Sequence, residues 1–285
     1  MMRTHLLRLA LLAFTSVLAS ALPASAQTVL QKAQKDGYIR VGFPNQVPYA
    51  YANEKGELTG VDAVIARMVV QKMGIKEMDG VLTEFASLIP GLKAGRFDIV
   101  LAMFVNPQRC AQVAFSEPIY KVGQGIVVKA GNPRQIKSYD ELVKRDDTKV
   151  AVMAGAVQTS YLKKLGVPDG RIVSFPDGPS AIAAVSSGRA DAFTISDLPA
   201  RRLLAAAGPS AGLEMVPSFP SPVIDGRPAH GHDAFAFRPE DAELQREFNK
   251  ALAGIMATPA FLEAMTPFGL TRDNLPASKT TDLCR

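Results

Sequence analysis

A chain of 285 residues, 47% of them apolar, is long enough to bury one large core or two smaller ones. Its 32 basic and 27 acidic residues are interspersed, which excludes the clustered basic face of a nucleic-acid binder. Past the N-terminus no stretch free of charge and proline reaches the roughly 20 residues that span a bilayer as a helix.

The first 26 residues read as a cleaved secretory signal. Arg3 and Arg8 make a positive start, Leu9 to Leu22 is a short apolar run, and Ala24-Ser25-Ala26 supplies the cleavage site. The expected product is an exported, periplasmic chain with 30 basic against 27 acidic residues, a net charge of +3. In an oxidising compartment its two cysteines, Cys110 and Cys284, are expected to pair, the alternative being two free thiols.

From there strands and helices alternate. Tyr38–Phe43 reads as a strand, Val61–Met73 as a helix, Val81–Phe85 as a strand, Ser87–Ala94 as a helix and Phe97–Met103 as a strand. The pattern then recurs: strand Lys149–Met153, helix Gln158–Leu165, strand Ile172–Phe175, helix Ser180–Ser187, strand Ala190–Ile195. This is α/β, with two Rossmann-like lobes built on parallel sheets. Ser87, Gly95, Arg96 and Asp98 match Ser180, Gly188, Arg189 and Asp191 at a constant offset of 93, so the lobes share a helix–glycine–strand unit in which the serines read as N-caps. The run from Gly123 to Pro133, and the segment from Pro217 through Asp233–Pro239, read as two hinge strands between lobes. Asp241–Met256 and Pro259–Met265 read as helices returning to the first lobe. The expected boundaries are 27–124 with 238–285 for the first lobe, and 125–237 for the second with both crossings.

Ligands of open α/β sheets lie beyond the carboxyl ends of the strands, and hinged lobes hold them in the cleft between. That rule selects Gln46 and Tyr49, Phe85, Met103 and Phe104 in the first lobe. In the second it selects Gly155, Ala156, Val157, Gln158 and Asp197, the last equivalent to Phe104 by the offset of 93. Arg109, in the short helical run after Asn106-Pro107, offers a rigid fork matched to a carboxylate. Together they suit a small zwitterion. Arg109 takes the carboxylate with help from the backbone amides of residues 155–158, Asp197 takes the cation, and Tyr49, Phe85 and Phe104 form aromatic walls. The alternatives are core roles for Tyr49, Phe85 and Phe104 and a helix N-cap role for Asp197. His230, His232 and Asp233 form a His-x-His-Asp run without a further ligand at metal-site spacing, so neither metal nor cofactor is expected.

Seven segments carry a resemblance: VGFPNQVPYAY, GVDAVIARMV, LIPGLKAGRFDIV, NPQRCAQVAFSEPIY, GIVVKAGNP, GRADAFTISDLPA and DAFAFRPED. Over nearly the whole mature length the chain resembles family 3 extracellular solute-binding proteins of polar amino acid ABC transporters. Within that family FPDGPSA, PVIDGRP, the Arg109-Cys110 pair and the TTDLC tail resemble ectoine/hydroxyectoine-binding proteins. The resemblance implies the type II periplasmic binding protein fold, and a monomeric receptor that hands its solute to a membrane permease and ATPase. It gives Arg109 the carboxylate and places Tyr49, Phe85 and Phe104 in an aromatic box. Gln46 stands where a glutamate partner for ectoine's amidinium is expected, Val157 where a hydroxyl is common, and Asp197 matches the acid that holds an α-amino group. Ectoine and an amino or imino acid therefore both stay open. A dehydratase on the same scaffold is the competing enzyme class; it needs a general acid in the cleft, for which Asp177 and Asp197 are the strand-end candidates.

Overall fold

The computed structural model describes residues 27–285; the expected signal peptide, residues 1–26, lies outside the described residues. Two sheets form the centres of two lobes. In the first, strands run in the order Glu77–Leu82, Tyr38–Phe43, Ile99–Phe104, Gly231–Phe237 and Ala114–Phe115, with Tyr120–Val122 also paired to Gly231–Phe237. The first three are parallel and Gly231–Phe237 is antiparallel to its neighbours. The second sheet has the order Ile172–Phe175, Val150–Met153, Ala192–Ser196, Gln124–Lys129 and Leu213–Met215, the last two antiparallel. This is the two-lobed type II periplasmic binding protein architecture.

Helices cover both faces because the central strands are apolar on both sides. Helix Val61–Lys72 and helix Ala242–Met256 pack Ile65, Val69, Phe248 and Leu252 against Ile99, Leu101, Phe235 and Phe237. On the other face helix Leu88–Lys93 packs Leu88 and Leu92 against Phe97, Val100 and Met103. In the second lobe Leu142 and Leu162 close one face and Ala181, Val185 and Ala200 the other.

The repeated unit does the same work twice. Gly95 and Gly188 end their helices with φ of 69° and 79°, the left-handed region that glycine enters without a Cβ clash. The aspartates that follow tie each strand to its neighbour: the Asp98 amide donates to Arg40 O at 2.9 Å and that of Asp191 to Lys149 O at 2.8 Å. Both carboxylates take an arginine as well, Asp98 from Arg40 and Arg238, Asp191 from Arg134.

Several expectations are corrected. Neither serine of the repeat caps through its side chain; Asp177 is the N-cap of helix Gly178–Ser186 and accepts the Ser180 amide at 2.7 Å. The strand expected at Val81–Phe85 runs from Glu77 to Leu82, and Phe85 begins a 3-10 turn, Phe85–Ser87. That strand lies at the sheet edge, and its exposed, polar first half hides it from an apolar pattern. Strand Gly231–Phe237 belongs to the first sheet, not to a second-lobe segment ending at 237. Its buried face joins the first lobe's core, and its register pairs Asp233 with Phe104. The chain thus leaves the first sheet at Val122, enters the second at Gln124, and returns before Gly231. The proline-rich return carries a short hairpin, Val223–Ile224 with Arg227–Pro228, turned at Asp225 and Gly226 with φ of 51° and 76°.

The cysteines are joined, Cys110 to Cys284, across a sequence separation of 174. Replacing both by serine is expected to lower stability by about 2–5 kcal/mol, measured by urea denaturation with and without reductant. Gly231 faces the ring of Phe104, where an added Cβ would lie 2.3 Å from Cε2. Gly231→Ala is therefore expected to cost about 1–3 kcal/mol by the same measurement, through displacement of that ring.

Candidate functional site

The carboxyl ends of both sheets meet across the cleft and enclose a cavity of about 20 Å³. Gln46, Tyr49, Phe85, Ala102, Phe104 and Arg109 line it from the first lobe; Met153, Ala156, Val157, Gln158, Ile195 and Ser196 line it from the second. Small-molecule sites generally have roughly 300 Å³ or more. The lobes therefore meet too closely to admit a solute without parting. Outside the cavity the cleft widens into a groove of about 680 Å³, whose walls include Met103 and Gly155.

Arg109 sits at the junction of cavity and groove. Asn106 starts its short helix, Pro107–Cys110, by accepting the Arg109 amide on Oδ1 at 2.8 Å, and the disulfide at Cys110 holds the helix end. The guanidinium is buried. Nη1 donates to Phe104 O at 2.7 Å, Nη2 donates across the cleft to Gly155 O at 2.9 Å, and Cζ lies 5.3 Å from the Phe85 ring centroid. All these partners are neutral. Burial lowers its pKa to about 10, so it remains a cation at neutral pH. Tyr161, which sequence reasoning missed, packs near it: burial raises the phenol's pKa and the Arg109 charge partly offsets this.

The aromatic residues are set by strand geometry. Ala102 has a φ of 59°, and the pairing with Gly231–Phe237 shifts register beside it. This bulge resets the alternation: Leu101 and Ala102 face one side in succession, Met103 the other, and Phe104 the side of Tyr49. Phe104 therefore reaches the cavity, and Met103 enters the opposite core. Tyr49 meets Phe104 edge-on at 6.0 Å and stacks on Tyr120 at 5.8 Å. Phe85 reaches the cavity from its 3-10 turn.

In the second lobe Gly155 and Ala156 precede helix Val157–Lys164. The Ala156 amide is already bound to Met153 O at 3.0 Å, which removes it from the set of amides expected to face an anion. Gly155 contributes its carbonyl to Arg109 and packs against Ala86, where an added Cβ would lie 3.1 Å from Cα. Gln158 donates from Nε2 to Gln124 Oε1 at 2.9 Å, and Gln124 Nε2 donates to Ala229 O at 2.9 Å, joining the cavity to both crossings. Asp197 is placed differently from the expectation. It begins helix Asp197–Ala207, its Oδ1 accepts the Leu198 amide at 2.8 Å, and Ser196 lines the cavity in its stead. Phe104 ends its strand, whereas Asp197 follows the end of Ala192–Ser196 and turns with the helix. The strand-end rule points to Met153 and Ser196; nothing in the local sequence points to the bulge at Ala102.

The comparisons agree with this architecture. Residues 39–268 match the model of the bacterial extracellular solute-binding proteins, family 3. A probable amino-acid ABC transporter periplasmic-binding protein of Sinorhizobium fredii is 38% identical over 275 residues, covering 94% of this chain and 90% of its own. The lysine/arginine/ornithine-binding periplasmic protein of Escherichia coli is 27% identical over 263 residues, covering 88% and 91%. Among solved structures, EhuB in complex with hydroxyectoine superposes with a TM-score of 0.82 at 27% identity, covering 90% of this chain and 97% of that one. On its sequence, its two-sheet architecture and its cleft, the chain belongs to the bacterial extracellular solute-binding proteins, family 3.

Proposed function

We propose that the chain is the periplasmic receptor of an ABC importer, and that it closes on one small zwitterion between its lobes and delivers it to the permease and its ATPase. The observation that carries this reading is Arg109, a buried cation whose partners are two carbonyls and an aromatic ring. A buried charge is costly unless it is paired, and carbonyl dipoles compensate it less well than a carboxylate. Only two of its roughly five N–H donors are engaged, so a carboxylate has room to bind. Because one of those carbonyls belongs to the opposite lobe, the residue that would take the anion also senses closure.

The opposite wall suits a cation. Tyr49, Phe85 and Phe104 present aromatic surface, and a cation over such a face gains about 0.5–2 kcal/mol. Ectoine and hydroxyectoine fit this chemistry, as do polar amino and imino acids. The likeness to EhuB with hydroxyectoine favours the first pair, and the amino-acid-binding relatives favour the second. Gln46 offers an amide to the cationic half, and a full counter-charge comes from elsewhere. The mechanism is a population shift: the solute binds both lobes only when they approach, so its affinity is what favours the closed arrangement.

Scanning fluorimetry with ectoine, hydroxyectoine, L-proline and the polar amino acids tests the reading. A true ligand at a hundred times its Kd is expected to stabilise the protein by about 2.7 kcal/mol, a rise in Tm of several degrees. No shift with any of these solutes removes the zwitterion reading. Arg109→Ala is expected to weaken binding by about 2–5 kcal/mol, roughly 30-fold or more, and Arg109→Lys to recover only part of it, because a point charge does not replace the planar fork. Titration calorimetry reads both, and an unchanged Kd in Arg109→Ala removes the carboxylate assignment.

A further inference from the structure

A second polar cluster lies behind the aromatic wall of the cavity. Asp62, in the first turn of helix Val61–Lys72, and Asp233, on strand Gly231–Phe237, are both 0% exposed. The Tyr120 hydroxyl donates to Asp62 Oδ1 at 2.5 Å, and the Tyr120 ring stacks on Tyr49, which lines the cavity. Both oxygens of Asp233, Oδ2 of Asp62 and the Tyr49 hydroxyl have no hydrogen-bond partner among the described residues. Four orphan polar atoms gathered in one interior region are a concentration that a packed core does not tolerate without a reason.

The ionisable groups that act on the cluster are few. Asp62, Tyr120 and Arg109 act on Asp233; Tyr120 and the Ala102 backbone act on Asp62; Asp62, Asp233 and, from the second lobe, Ser196 and Asp197 act on Tyr49. None is a lysine or arginine in contact with either acid. Burial is the main cause that pushes Asp62 up to about 7, and burial with the neighbouring Asp62 pushes Asp233 well above the usual carboxylate range. Two buried carboxyls that raise one another favour keeping a proton on the pair.

We infer that Asp62 and Asp233 are the specificity-determining counter-charge for the positive half of the solute, and that binding exchanges that positive charge for the proton the pair holds. The inference rests on the reading of the cavity as a zwitterion site. Tyr49 stacks on the Tyr120 ring whose hydroxyl holds Asp62, and Phe104 pairs in register with Asp233, so a solute cation against Tyr49 and Phe104 is one residue layer from the pair. At an effective dielectric constant of about 20, a unit charge within about 8 Å moves a carboxyl's ionisation equilibrium more than ten-fold. The charge balance is simple: one cation enters, up to one proton leaves to solvent, and the pair becomes an anion facing the cation. An uncharged solute leaves the pair protonated and gains nothing from it. The pair thereby supplies the negative charge that the cavity lining, with Gln46, Tyr49, Gln158 and Ser196 as its uncharged polar side chains, does not provide.

The experiment is titration calorimetry of the mature chain at pH 7 with ectoine, L-arginine, L-glutamine and L-proline, each in phosphate and in Tris, whose ionisation heats differ. For whichever of these binds, the expected result is release of about 0.3–1 proton per site from wild type. No release is expected from Asp233→Asn, with affinity for that solute at least ten-fold weaker. Asp62→Asn, which keeps an oxygen for Tyr120, is the second variant should Asp233→Asn not fold, and it is expected to behave in the same way. Equal heats in the two buffers for wild type overturn the inference while leaving the zwitterion reading intact. So does proton release that persists in the folded variants. A panel in which no solute binds overturns both.

Discussion

The chain passes from one sheet to the other across a single residue. Strand Tyr120–Val122 ends in the first lobe and Gln124–Lys129 begins in the second, leaving Gly123 alone between them. With a return path just before Gly231, the lobes are free to rotate about two crossings but not to drift apart. Gln124 ties the crossings together through Ala229 O and carries Gln158 on its other end. The cavity and the hinge are thus ends of one hydrogen-bonded chain, so cavity shape and lobe angle change together. Everything that the facing side chains do depends on this passage.

Much of the fold was legible because its signals are local. The central strands and the amphipathic helices around them declare themselves by periodicity, and the glycines at 95 and 188 mark helix ends by backbone chemistry. The recurrence at an offset of 93 was legible too, although its meaning lies in Asp98 and Asp191 rather than in the serines. Sheet membership was not legible. Gly231–Phe237 looks the same from its own sequence whichever sheet it joins, since the choice is made by partners over a hundred residues away. Glu77–Leu82 was misplaced for the opposite reason: an edge strand with polar residues carries little pattern to read.

The site divides along the same line. A topological rule that needs no coordinates names residues that end strands or start helices, and of those Gln46, Tyr49, Phe85, Phe104, Ala156, Val157 and Gln158 line one cavity together with Arg109, which is named for its guanidinium. The rule fails where geometry departs from regularity by one residue. The bulge at Ala102 decides that Phe104 and not Met103 faces the cavity, and the onset of a helix at Asp197 leaves Ser196 at the wall. Asp62 and Asp233 were beyond reach for another reason. Each sits in a largely buried element, and only the pairing of a helix with a distant strand brings them together.

The carbonyls that hold Arg109 have a consequence for selectivity. On the zwitterion reading, an incoming carboxylate meets a guanidinium that already holds Phe104 O and Gly155 O, so it either takes the remaining N–H donors or displaces one of those carbonyls. On that reading, recognition is partly an exchange, the gain from a charged acceptor less the loss of any neutral one it displaces. Since a guanidinium gains more from a full opposite charge in a two-pronged pair than from a carbonyl dipole, a carboxylate profits from the trade and an amide of the same shape breaks even. Under the same reading the protein's own backbone acts as a reference ligand, against which each solute is weighed before the lobes commit to it.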